Sequence, residues 1–163
     1  MSRGSILAAT AAGVVLLMAS SLQGTTPSLI WNASASVPPG LYRIRSGPVH
    51  RGDVVLIRLP PRIADLADRR GYLPKSAYLI KFIIGVTGDR VCRFGGRVFV
   101  KGAFRARAFS RDRRHRHMPV WHGCYRLASG QVFVLAEDPD SFDSRYFGPL
   151  SHQHVIGRGV RIR

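Results

Sequence analysis

Lys81 is the first residue whose setting points to chemistry. It stands in Tyr78-Leu-Ile-Lys-Phe-Ile-Ile84, with apolar neighbours on both sides. Desolvation in such a run disfavours the ammonium and lowers the pKa of the amine. A lysine that is neutral near pH 7 can act as a general base. The other reading is a lysine whose stem packs on a half-buried strand while its ammonium reaches water. A base needs a nucleophile, and Asn32-Ala-Ser-Ala-Ser-Val-Pro-Pro-Gly40 offers Ser34 and Ser36. In extended backbone, serines at this spacing point to the same side. Pro38, Pro39 and Gly40 stiffen the turn that follows. A serine beside an uncharged lysine makes a Ser–Lys dyad, a variant of the triad in which lysine replaces histidine. Taken alone, the Ser/Pro/Gly stretch reads as a plain linker.

A third segment changes that balance. Asp138-Pro-Asp-Ser-Phe-Asp-Ser-Arg-Tyr-Phe-Gly-Pro149 gathers acids, serines, an arginine and aromatics into one loop. Asp143 and Arg145 can pair and fix the loop. The Ser141 hydroxyl can orient a neutral lysine amine.

Short strands must carry these residues. Gly40–Arg45 alternates, and Asp53–Leu59 is a β-rich run after the Arg51-Gly52 turn signal. Pro60-Pro61 stops that run. Ile63, Leu66 and Ala67 at helical spacing predict a short helix over Arg62–Arg70, ending at Gly71. Tyr78–Val86, Val91–Val100 with a Gly95-Gly96 hairpin turn, Gln131–Leu135 and Val155–Ile162 complete the strands. The expected fold is mostly β, a domain of short strands with one small helix.

The N-terminus differs. Ile6–Leu22 is almost wholly apolar or small, and no charge falls between Arg3 and Arg43. It suits a membrane-crossing helix or the hydrophobic region of a signal peptide. The expected division is therefore 1–24 as signal peptide or anchor and 25–163 as the folded domain, with a polar linker near Gly24–Ser28. Either reading sends the domain across the membrane, since long domains translocate largely regardless of charge.

The 163 residues suit one domain, and 45% apolar content excludes global disorder. With 25 Lys+Arg against 9 Asp+Glu, the net charge is +16. That excess calls for an anionic neighbour without choosing one. Arg105–His117 is the most basic segment and reads as a solvated, mobile loop or as a surface for anionic lipid. Nucleic acid is the weaker partner, because no aromatics alternate with the arginines as stacking platforms. His115/His117 and His152/His154 lack a third ligand of convincing spacing, so no metal site is expected. Cys92 and Cys124 either remain free buried thiols or, in an oxidising compartment, form one disulfide.

The order of these segments resembles the bacterial type I signal peptidases, and most closely their conjugative-transfer branch, the TraF-type pilin-processing peptidases. Ser34-Ala-Ser-Val-Pro-Pro-Gly-Leu-Tyr42, with Asn32 ahead of it, resembles the nucleophile box. Arg51-Gly-Asp-Val-Val55 resembles the next strand box, and Leu79-Ile-Lys-Phe-Ile-Ile-Gly-Val-Thr-Gly-Asp-Arg-Val91 the lysine box. Ser141-Phe-Asp-Ser-Arg-Tyr-Phe-Gly148 resembles the final box, followed by Ile156-Gly-Arg-Gly. Coverage runs from about Asn32 to the C-terminus. Phe82 stands where the family usually has a basic residue, and Val86-Thr-Gly-Asp89 replaces the usual Leu-Pro-Gly-Asp.

The resemblance implies Ser36 as nucleophile and Lys81 as general base. It implies an oxyanion hole from the Ser34 hydroxyl and the Ser36 N–H. Ser141 matches the serine that orients the lysine, and Asp143 and Arg145 match the supporting pair. It further implies a cofactor-free endopeptidase on the periplasmic side of the inner membrane, acting on a pilin precursor or another exported preprotein. Its products form by hydrolysis or by cyclisation. The rival readings are a general signal peptidase and a non-enzymatic, membrane-tethered basic module.

Overall fold

The computed structural model describes residues 27–162. The N-terminal helix expected over Ile6–Leu22 lies outside the described residues. Among the described residues, no helix is long and apolar enough to cross a membrane.

Among the described residues, eleven strands form two antiparallel sheets. The larger contains β1 (Leu29–Asn32), β2 (Gly40–Arg45), β11 (Val155–Arg161), β3 (Val54–Ile57), β4 (Leu79–Gly85), β9 (Gln131–Leu135) and β10 (Leu150–Ser151), in that spatial order. The smaller runs β7 (Ala103–Arg107), β6 (Arg97–Val100), β5 (Arg90–Phe94), β8 (Gly123–Arg126). The protein is mostly β, as its alternating apolar runs predict.

The large sheet is covered on both faces, which is why β4 reads as an almost continuous apolar run. Alternation sends Leu79 and Ile83 into the main core with Val55, Ile57 and Phe133. It sends Ile80 into a second cluster with Val37, Tyr42 and Leu56, against which Phe82 packs. Lys81 lies between Leu79 and Ile83 and is therefore on the main-core side of the strand. It stands opposite Val55 of β3.

The helix α1 (Pro61–Arg69) begins with proline, where a missing N–H costs little, and buries Ala64 and Ala67. The chain leaves it through Gly71 at φ 68°. A second, four-residue helix, α2 (Ser144–Phe147), is capped by Asp143, whose side chain accepts the Arg145 N–H.

Three expectations need correction. Residues 33–39 are not extended; they bend into a turn between β1 and β2. Arg105–His117 is not a free loop. Ala103–Arg107 is an edge strand, Arg111 and His117 form an antiparallel bridge, and Met118 N–H donates to the Ser110 carbonyl over 2.9 Å. Strands β1, β7, β8 and β10 have no counterpart among the expected elements.

Candidate active site

The turn between β1 and β2 places Ser36 beside the centre of β4, where Lys81 Nζ and Ser36 Oγ are hydrogen-bonded. Lys81 is only 2% exposed. Burial pushes its pKa down to about 8; Asp143 and Asp138 pull it up, while Arg145 pushes it further down. An appreciable fraction of the amine is therefore uncharged near neutral pH. The ammonium does not reach bulk water in the way the alternative sequence reading allows.

Buried Asn32 gives the turn its shape. Its Nδ2 donates to the carbonyls of Ser34 and Val37 over 2.9 and 2.8 Å. Its Oδ1 accepts from Ser34 N–H at 3.1 Å and from Ser34 Oγ at 2.8 Å. One side chain thus replaces the ladder bonds that the turn lacks. From the far side, Arg161 of β11 donates to the Pro39 carbonyl over 2.7 Å. Tyr42 Oη donates to the Pro38 carbonyl over 2.6 Å. Ser34 and Ser36 both line one cleft with Lys81, although the backbone between them is bent rather than extended.

Asp143 and Arg145 form the expected pair and are 0% and 1% exposed. Arg145 Nε and Nη2 donate to the two carboxylate oxygens over 2.8 and 2.9 Å. Its remaining donors reach the carbonyls of Pro139 and Ala136, each at 2.8 Å. Asp143 also accepts the Ala136 N–H at 2.9 Å. The pair staples residues 136–145 into a fixed loop. Burial pushes the Asp143 carboxyl up, against the opposing pull of the Arg145 guanidinium. Ser141 faces the same cleft, and its buried hydroxyl has no hydrogen-bond partner among the described residues.

Two supporting residues were not singled out from sequence. Arg93 of β5 is 2% exposed and donates to the Arg145 carbonyl over 2.6 Å. Nothing in the pattern Arg90-Val-Cys-Arg-Phe94 separates it from a surface arginine. Asp112 is the hub of the arginine-rich segment. It accepts Tyr72 Oη at 2.6 Å, Arg116 Nε at 2.7 Å, and the amides of Arg114 and Arg116 at 2.9 Å. Burial works against the charged carboxyl, but these donors hold it well below the usual carboxylate range. The lone acid among many arginines was the available signal.

Cys92 and Cys124 form a disulfide between β5 and β8. It sits one residue from Arg93 and ties the small sheet together. Arg51 joins two of the sequence boxes by pairing with Asp89 at 2.6 Å. Val86 N–H also donates to Asp89 over 2.8 Å, so the turn at Val86–Asp89 is closed despite its unusual sequence. Among the described residues, no three His, Cys, Asp or Glu side chains converge to hold a metal ion.

The cleft encloses about 700 Å³. Its lining includes the apolar Ile30, Leu56 and Ile80 together with arginines of the 111–116 turn. A hydroxyl bonded to a buried amine at the floor of a cleft this size can attack an electrophilic carbonyl held there.

Residues 3–162 match the family described as signal peptidase, peptidase S26. A plasmid transfer protein TraF of Escherichia coli is 30% identical over 95% of this chain and 94% of its own length. A probable conjugal transfer protein TraF of Sinorhizobium fredii is 36% identical over 80% of this chain and 74% of its own. The chloroplastic thylakoidal processing peptidase 1 of Arabidopsis thaliana is 30% identical over 66% of this chain, which spans 30% of that longer protein. The chain belongs to the signal peptidase family, peptidase S26.

Proposed function

We propose that this member of the signal peptidase family is a membrane-associated serine endopeptidase that cuts an exported pilin precursor during conjugative transfer. The observation that carries the reading is the hydrogen bond between Ser36 Oγ and a buried Lys81 whose amine is held near pH 8. The TraF relatives favour a conjugation substrate over general preproteins. Residues 25–163 are the peptidase domain. Residues 1–24 are its signal peptide or anchor, which meets membrane lipid and puts the domain on the periplasmic side of the inner membrane.

Neutral Lys81 accepts the Ser36 hydroxyl proton as Oγ attacks the scissile carbonyl. The Ser36 N–H and the Ser34 hydroxyl hold the oxyanion, and one such donor contributes about 10²–10³ in rate. Ser34 donates to Asn32 in the resting arrangement, so its hydroxyl rotates toward the developing charge. Ser141 turns its unpartnered hydroxyl to the lysine and fixes its rotamer. Protonated Lys81 gives its proton to the leaving amine. Water then releases the acyl group, or a substrate amine takes it and closes a new peptide bond.

The test is incubation of the purified protein with the pilin precursor from its own conjugation operon, followed by product mass. Cleavage that disappears in Ser36→Ala supports the reading; an intact precursor with the wild-type protein refutes the pilin assignment. Hydrolysis adds one water to the summed fragments, and cyclisation does not.

A further inference from the structure

The 111–116 turn lines the cleft with arginines, and their positive charge is only partly neutralised. Arg113 pairs with Asp140, and Arg116 with Asp112. Arg70 donates to the His117 carbonyl over 2.8 Å. Arg111 and Arg114 have no carboxylate partner among the described residues, and both are exposed. Arg111 places one nitrogen on the His115 carbonyl at 2.6 Å and leaves its other donors open. Both arginines line the same cleft as Ser36 and Lys81.

The turn that presents them is rigid. The Asp112 network closes it, the Arg111–His117 bridge pairs its ends, and His115 adopts a left-handed φ of 59° at its tip. Arg116 also lies over the Tyr72 ring at 5.4 Å and donates to the Arg70 carbonyl over 3.0 Å. A mobile basic tail suits diffuse attraction to a charged surface. Guanidinium groups on a fixed turn suit directed, bidentate hydrogen bonds to a single carboxylate.

We propose that Arg111 and Arg114 form a carboxylate-reading subsite, so that the protein selects polypeptides carrying an acidic side chain close to the bond it cuts. The proposal rests on the peptidase reading for its reaction, but not for its binding. A polypeptide seated over Ser36 shares the cleft with the 111–116 turn. A Glu or Asp in that stretch meets two open guanidiniums. A Lys there meets net repulsion from the five arginines that line the cleft, which outnumber its three aspartates.

The test uses synthetic peptides that span the bond the protein cuts, with a single Glu, Gln or Lys moved along the flanking positions. For the full chain, kcat/KM for the best Glu peptide should exceed its Gln counterpart by about tenfold. In Arg111→Gln/Arg114→Gln the ratio should fall to about one, and in Arg111→Glu/Arg114→Glu the preference should turn to Lys; such an inversion requires a folded protein. Binding of the same peptides to Ser36→Ala, read by fluorescence anisotropy, should give the same order. That arm holds even if Ser36 and Lys81 are not the reacting pair. No Glu preference at any position, or a preference unchanged in both double variants, overturns the proposal. So does a result in which the double variants lose only their binding to phosphatidylglycerol vesicles, which would assign the arginines to lipid.

Discussion

The guanidinium of Arg93 donates to the main-chain carbonyl of Arg145 over 2.6 Å, both residues being almost fully buried. This bond joins the small sheet to the loop that carries Ser141 and Asp143. A surface arginine would add little here; a buried one leaves a carbonyl orphaned when it is lost. Arg93→Met keeps the apolar stem and removes the donor. It should destabilise the protein by about 1–3 kcal/mol in urea unfolding. It should also lower kcat more than it raises KM, because the loop rather than the substrate wall is loosened.

The pH dependence follows from the burial of Lys81. On the proposed mechanism the reaction requires the neutral amine, so the deprotonated fraction sets the rate. With the amine held at about 8, kcat/KM should rise roughly tenfold per pH unit below that value and level off above it. Lys81→Arg keeps the charge but does not deprotonate, so it should show no cleavage at any pH from 6 to 10. A profile that falls as the pH rises through 8 would contradict the base assignment.

Ser36→Ala should reduce kcat/KM by roughly 10³-fold or more with little change in the unfolding midpoint. Its hydroxyl meets the lysine but holds no strand in place.

Ser141→Ala separates stability from activity. The Ser141 hydroxyl is buried without a partner, so its removal should leave stability unchanged or raise it by about 1 kcal/mol. On the proposed mechanism this hydroxyl orients Lys81, so its loss should nevertheless lower kcat by about tenfold. A purely structural serine would not produce that split.

The bond between Cys92 and Cys124 closes a separation of 32 residues. Replacing both by alanine should cost ~3–4 kcal/mol on the chain-entropy account, measured by urea unfolding. Reductant should weaken the wild-type protein and leave the double variant unaffected.

Much of this was legible in the order of residues. Strands β3, β4 and β9 announce themselves through continuous apolar runs, because each is buried along most of its length. Lys81 was conspicuous for the same reason, being a cation in a run that burial required to be apolar. The edge strand β7 was hidden, since among Ala103-Phe-Arg-Ala-Arg107 only Ala106 is buried. Strand β8 was hidden likewise, because Gly123-Cys-Tyr-Arg126 is half exposed and has no apolar stripe. The burial of Arg93 and the anchoring by Asp112 depend on partners 52 and 40 residues away, and local pattern carries no trace of them. The Ser34/Ser36 pair was identified for the wrong geometric reason, because Asn32 bends the backbone that alternation assumes straight.

Strand β11 lies between β2 and β3 in the large sheet, although it follows every other strand in sequence. The hairpin that bears Ser36 is therefore laddered to the strand pair that bears Lys81 only through β11, which also supports the Pro39 carbonyl through Arg161. During synthesis Ser36 and Lys81 are both present long before this strand arrives. Until it inserts, no continuous ladder joins them, so on the proposed mechanism the nascent chain is inactive and becomes competent only when the sheet closes.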